Sequence, residues 1–272
     1  MIGKRHFLAG LGMMVTSSAL AQMRAPASRA AEIQVWCPAL VYDAMQEFAA
    51  DFTRETGTKV KVITGPMGKL VGAIQAASPA PDVVILPPDL MESLAQQGGV
   101  QAGSRVPLAR VEIGLAVASG AAKPDISSVE KLRTALMSAK AVTYSKPGPP
   151  RFSMEAQMID ALLRRPELSD VHRQPAPVGS GVDFLAAGNA DMALQVVPEI
   201  LATKGIALVG PLPPALGMHI DVAASVFARS ADRADSSAFI AYVTRPEAEH
   251  VWTRQGIVRG QIQAAVAHGA RP

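Results

Sequence analysis

An α/β fold, with mainly parallel sheets flanked by helices, is what this 272-residue sequence predicts. Three observations carry the prediction. Short apolar runs alternate with segments of helical periodicity along almost the whole chain, which is the pattern of strand–helix–strand units. Glycines stand where helices should stop. The tract from Gly188 to Pro214, GNADMALQVVPEILATKGIALVGPLPP, packs an acidic turn, an apolar strand, a Pro-Glu helix start, a glycine stop and a second strand into one run. Pro198 suits a first helical turn, where its missing N–H is not needed, and Gly205 suits the left-handed residue that ends a helix.

Taken in order, Ile33–Cys37 is a strand leading into a helix from about Val41 to Thr56. Ala44, Met45, Phe48, Ala49 and Phe52 share one face of that helix, and Gly57 ends it. Val60–Thr64 is the next strand, Lys69–Ala77 a helix, Val83–Leu86 a strand, and Asp89–Gln97 a helix capped by Asp89 and stopped by Gly98-Gly99. This first block ends near Arg110. A second begins with strand Glu112–Ala118, and Ser127 and Glu130 have capping-box spacing for a helix running to about Ser138. Strand Ala141–Tyr144, a proline-rich loop PGPPRFS and a helix over about Met154–Arg164 follow. Gly179-Ser180-Gly181 precedes another short helix, and the Gly188–Pro214 tract completes the block. A strand from Asp221 to Ala228 and helices near Ala234–Val243 and Pro246–Arg254 remain.

The N-terminus is expected to be a signal peptide. Lys4 and Arg5 form a basic start, Phe7–Ala21 is apolar but too short and small-residue-rich to stay in a bilayer, and no acidic residue precedes Glu32. Ala19-Leu20-Ala21 is an A-x-A-type cleavage site, giving a signal over 1–21, and Ser28-Arg29-Ala30 is a second candidate that moves the cut to residue 30. The run KRHFLAG also has a twin-arginine flavour, with lysine in the first basic position, so both export routes fit. The expected location is the periplasm.

Composition narrows the function classes. Hydrophobic residues make up 49% and charged ones 18%, which is a globular balance. The net charge of +3 falls to +1 without Lys4 and Arg5, and to −1 without Arg24 and Arg29, so charge supplies no nucleic-acid face. The single cysteine, Cys37, precludes an internal disulfide and reads as a buried small hydrophobe. His172 and His219 lack metal-type spacing, and no P-loop, dinucleotide or G-x-S-x-G motif occurs, so neither a metal nor a cofactor is expected.

In order, FTRETGTKVKV (52–62), GKL (68–70), APDVVIL (80–86), LARVEIGLAV (108–117), GAAKPDIS (120–127), GNAD (188–191), PEI (198–200) and GIALVGPLP (205–213) resemble the molybdate-type periplasmic binding proteins of ABC importers. The resemblance covers about Glu32 to Gly256. It implies the two-lobed type II binding-protein fold, with a ligand cleft between lobes, residues 32–110 plus 221–272 in one lobe and 111–220 in the other. It also implies a small anionic solute, an ABC permease as partner and a monomer. The contact positions depart from the family pattern. Where hydroxyl donors surround a tetrahedral oxyanion in molybdate binders, this chain has Leu40, then Pro66 and Met67, and Gln195 or Val196 in place of a tyrosine. Molybdate is therefore not the expected ligand.

Loops at strand C-termini form the default ligand wall in such folds. They place Pro38 and Ala39 after the first strand, Gly68 and Lys69 at a helix start, and Ser180 in its Gly-Ser-Gly turn at the site. Arg151, in the stiff PGPPRFS loop, is the candidate for a bidentate carboxylate clamp, and Ser153 caps the next helix or touches ligand. Gln195 needs polar partners and is expected to face the cleft, while Trp36 and Tyr144 are cleft walls or core. Two functions follow from the resemblance: a receptor for a small carboxylate, or an enzyme like the aconitate isomerases of the same family, interconverting cis- and trans-aconitate. Tyr144, Glu199 and His219 are then conceivable bases, with no spacing to choose among them, so the catalytic residues stay unassigned.

Overall fold

The computed structural model describes residues 32–65, 67–76, 80–148 and 153–259. The signal-peptide assignment and Arg151 lie outside the described residues.

The first sheet is built around β1 (Glu32–Pro38), which pairs in parallel with β2 (Lys59–Gly65) and with β3 (Val83–Leu86). Antiparallel to β3 runs β9 (His219–Val226), a strand from the far end of the chain. The second sheet has its own parallel trio, with β5 (Val142–Ser145) between β6 (Arg173–Ala176) and β7 (Met192–Val196). The strand β4 (Val106–Ala118) joins the two. Its first part pairs antiparallel with β9 through Glu112; from Ile113 it pairs with β7, and from Gly114 with β8 (Ile206–Pro211) on its other edge. The α/β architecture of the sequence prediction is present, with a curled sheet that passes from one half to the other along β4 and β9.

Helices cover these sheets for reasons visible in their residues. Helix α1 (Tyr42–Thr56) buries Ala44, Met45, Phe48, Ala49 and Phe52, the predicted apolar face. It stops at Gly57, whose φ of 81° is left-handed and favours glycine. The C-terminal helices α8 (Arg233–Thr244) and α9 (Glu249–Arg254) pack back on α1. Phe48 meets Trp252 at a ring-centroid distance of 5.0 Å, and Phe52 meets Phe239 at 5.3 Å and Tyr242 at 5.2 Å. This aromatic knot holds the chain end on the first sheet, and it is the place where truncation should hurt most. Phe48→Ala is expected to cost about 3–5 kcal/mol, read as a lower urea midpoint with unchanged slope.

Some local expectations need correcting. The helix α4 (Val129–Ser138) is capped by Ser128, whose hydroxyl accepts from the Lys131 N–H, and not by Ser127. Ser127 is held elsewhere, its N–H bonded to Asp125 and its hydroxyl to the Lys131 ammonium. Asp89 does not cap α3 (Pro88–Gln96). Pro88 takes the first helical turn instead, putting Asp89 inside it, where its charge still suits the helix dipole. Strand β6 had no counterpart in the sequence reading, because RQPA carries neither alternation nor β-branched residues. Strand β4 begins well before Glu112, its partner β9 having no local signal for register.

Candidate functional site

Three strand ends and four helix starts meet at one cavity of about 300 Å³. From the first sheet, β1 ends in Pro38, and the chain turns through Ala39 and Leu40 straight into α1. The β2 strand ends in Gly65, and Met67 opens α2 (Met67–Ala76). From the second sheet come Met154 and Glu155, the first residues of α5 (Met154–Leu163). Val196, the last residue of β7, and Glu199, in the first turn of α7 (Val197–Ala202), complete the lining. Met154, on a helix of the second half, packs against the hydrophobic cluster of Trp36, Met67 and Leu70 in the first half as well as against the main core.

Strand C-termini collect here because parallel strands in each half run in one sense. Each therefore delivers its following helix with N–H groups foremost. Lining side chains at Leu40, Met67, Met154 and Val196 are apolar, and among the described residues none that lines the cavity carries a hydroxyl, a lysine or an arginine. Among the described lining residues the polar side chains are Glu155 and Glu199. Glu155 accepts from the Ser153 hydroxyl at 2.6 Å. Glu199 has no side-chain hydrogen bond or ion pair among the described residues. Burial, then the charges of Glu155 and Asp183, push its carboxyl up to about 7.

The sequence-predicted residues divide accordingly. Pro38 and Ala39 line the cavity. Gly68 and Lys69 lie in the first turn of α2, with the Lys69 side chain exposed and outside the lining. Ser153 stands at the start of α5, yet its hydroxyl makes no cap and serves Glu155 instead. Ser180 forms a capping box with Asp183 at the start of α6 (Gly181–Ala186) and is away from the lining. Gly181 lies so close to β5 that a Cβ there would be 2.5 Å from the Tyr144 Cα. Gln195 is buried at 1% exposure and finds its partners inside the second half: its amide donates to the Ser145 hydroxyl at 3.0 Å and its carbonyl accepts the Val196 N–H at 2.9 Å.

Of the conceivable bases, Tyr144 is buried with its hydroxyl donated to Asp160 at 2.7 Å, and both burial and that carboxylate raise its pKa. His219 lies 3.8 Å from Asp221, off the cavity lining. Only Glu199 reaches the cavity. Trp36 is core, its indole N–H bonded to Gln34. Cys37 is fully buried, its thiol pushed up to about 12 by desolvation, an inert small hydrophobe as expected. Glu155 and Met154 were not singled out as contacts in the sequence, whereas Val196 was one of two residues placed at a contact position. The available signal was their position, at a strand end or in the first turn of a helix.

The profile of the bacterial extracellular solute-binding proteins matches residues 33–258. The chain belongs to that family. Among individual solute-binding relatives, the molybdate-binding protein ModA of Azotobacter vinelandii is 26% identical over 236 residues, covering 85% of this chain and 91% of ModA. An aconitate isomerase from Pseudomonas sp is 31% identical over 174 residues, which span 62% of this chain and 65% of that enzyme. Among solved structures, the substrate-binding domain of a putative molybdenum ABC transporter from Clostridium difficile superposes with a TM-score of 0.69 at 16% identity, covering 85% of this chain and all 100% of that domain. That likeness establishes the two-lobed binding-protein fold. Leu40, Met67 and Val196, the residues expected from the sequence at contact positions, all line the cavity.

Proposed function

We propose that this protein is a periplasmic receptor that captures a small organic carboxylate between two lobes and presents it to an ABC permease. The observation that carries the reading is the convergence of the α1, α2, α5 and α7 starts on one cavity of about 300 Å³. Unpaired backbone N–H groups at helix starts favour an anion. The apolar lining, without hydroxyls among the described residues, favours an anion with a hydrocarbon body over an inorganic oxyanion. The moving bodies in this proposal are residues 32–110 plus 221–272 and residues 111–220, hinged along β4 and β9. Closure needs only differential binding to the closed form, and no chemistry.

Arg151 belongs to this proposal as the carboxylate clamp, three residues before the first residue of α5 in the sequence. Lys69 adds longer-range positive charge from the first turn of α2. Arg151→Ala is expected to weaken the best carboxylate ligand by about tenfold or more, and Arg151→Lys to restore part of that. The check is a thermal-shift screen of mono-, di- and tricarboxylates followed by calorimetry on both variants. Unchanged affinity in Arg151→Ala would remove the clamp from the site.

Glu199 favours a second reading. A carboxyl near 7, inside the cavity and free of partners among the described residues, has the protonation balance of a general acid or base. Under this reading the chain is an isomerase like its aconitate isomerase relative. Incubation with cis- and trans-aconitate in D2O decides it: isomer interconversion with deuterium uptake, lost in Glu199→Gln, would establish the enzyme.

A further inference from the structure

The cavity sets two carboxylates, from different helices, against one partly desolvated volume. Glu155 is steadied by Ser153, whereas Glu199 has no partner among the described residues. Glu199 also borders a second small void of about 50 Å³, shared with Asp43, whose described lining includes no lysine or arginine. Asp183 adds a third negative charge within range. Two acids lining one cavity with apolar walls make a poor place for every part of a polyanion, because like charges in a desolvated site repel strongly. The helix starts, by contrast, attract negative charge. The site thus has two ends of opposite preference, and a ligand that satisfies both has two kinds of charge.

Resting on the carboxylate reading above, we propose that the ligand is a small zwitterion, an amino-carboxylate whose carboxylate meets the helix starts and whose ammonium sits between Glu155 and Glu199. The ammonium supplies the donors that Glu199 lacks, and its three N–H groups can serve both acids at once. The aliphatic stem between the two charged ends lies against Leu40, Met67, Met154 and Val196. Glu155 and Glu199 then determine specificity by rejecting the same acid without its amine.

Calorimetry at pH 8 with matched pairs tests this: succinate against aspartate, glutarate against glutamate, and butyrate against 4-aminobutyrate. In at least one pair the amine-bearing member should bind about tenfold or more tightly, a difference of one desolvated charge pair. Glu199→Gln should bring that pair within roughly threefold by weakening the amine member alone, with Glu155→Gln acting in the same direction. Circular dichroism on both variants confirms that they are folded. Equal or tighter binding of the amine-free member in every pair that binds would overturn the zwitterion and leave the carboxylate receptor standing. Silence from both members of all three pairs, alongside a hit from a carboxylate without an amine, also overturns it. Silence from every carboxylate tested removes the underlying reading and this inference together.

Discussion

Glu199→Gln should make the protein more stable at pH 8 and change it much less at pH 5. The carboxyl is held at about 7 in the folded protein, against an ordinary value of 4.5, by burial and by the charges of Glu155 and Asp183. For an acid raised on folding, the folded state holds the proton more tightly than the unfolded chain. Its contribution is therefore most favourable below the unfolded value, and stability is lost as pH climbs through the window from 4.5 to about 7. Above that window the wild type carries an ionised, poorly solvated carboxylate, and glutamine relieves it. Allowing for partial exposure, the gain at pH 8 is on the order of 2 kcal/mol, or roughly 4–8 °C in midpoint. Differential scanning calorimetry of both proteins from pH 5 to pH 8 measures it. A constant difference across the range would mean that Glu199 is not the titrating group.

Molybdate and tungstate should fail to raise the midpoint even at millimolar concentration, although ModA of Azotobacter vinelandii is a relative over 85% of this chain. A buried tetrahedral dianion needs a shell of donors, and an unpaired one costs several kcal/mol. Here Leu40, Met67 and Val196 line the cavity and offer only hydrocarbon or thioether side chains to it. Backbone N–H groups remain, but Glu155 and Glu199 face the same space with negative or neutral oxygens. Calorimetric titration is the direct measurement, and tight stoichiometric binding would show that residues 149–152 or the backbone alone can supply the shell.

How much of this was legible before the fold was known depends on the kind of signal. The apolar face of α1 and the Gly57 stop were written in local periodicity and in one left-handed position, and both are where the pattern placed them. The Ser127 cap was misplaced by one residue, because neighbouring hydroxyls compete for the same N–H groups and a spacing rule cannot rank them, and the Asp89 cap by two, because α3 starts at Pro88 after Pro87 with no side-chain cap. The β4–β9 pairing had no local signal, and only the family resemblance returned the last part of the chain to the first block. The pairing joins residues such as Arg110 and Asp221, which also form an ion pair at 2.7 Å, across more than a hundred positions. At the site, Pro38 and Ala39 followed from the rule that ligands sit at strand ends. Glu155 and Glu199 did not, because an acid in a first helical turn usually does no more than complement the dipole. Only the meeting of α5 and α7 at one cavity separates these two from the other first-turn acids.

The place of β9 bears on how this chain acquires its structure. Strands β1 to β3 are consecutive early in the chain, but the strand that closes their sheet begins only at His219, and the aromatic knot over α1 needs Phe239, Tyr242 and Trp252. The first half therefore has no complete core while the second half is still being made. Pairing β3 with β9 is a contact of high sequence separation, whose closure entropy is met before the contact rewards it, so slow completion of this sheet is the expected result of a refolding measurement. The second half, continuous from β4 to β8, is the natural early folder, and a chain ending before His219 would strand β3 with an unpaired edge open to aggregation.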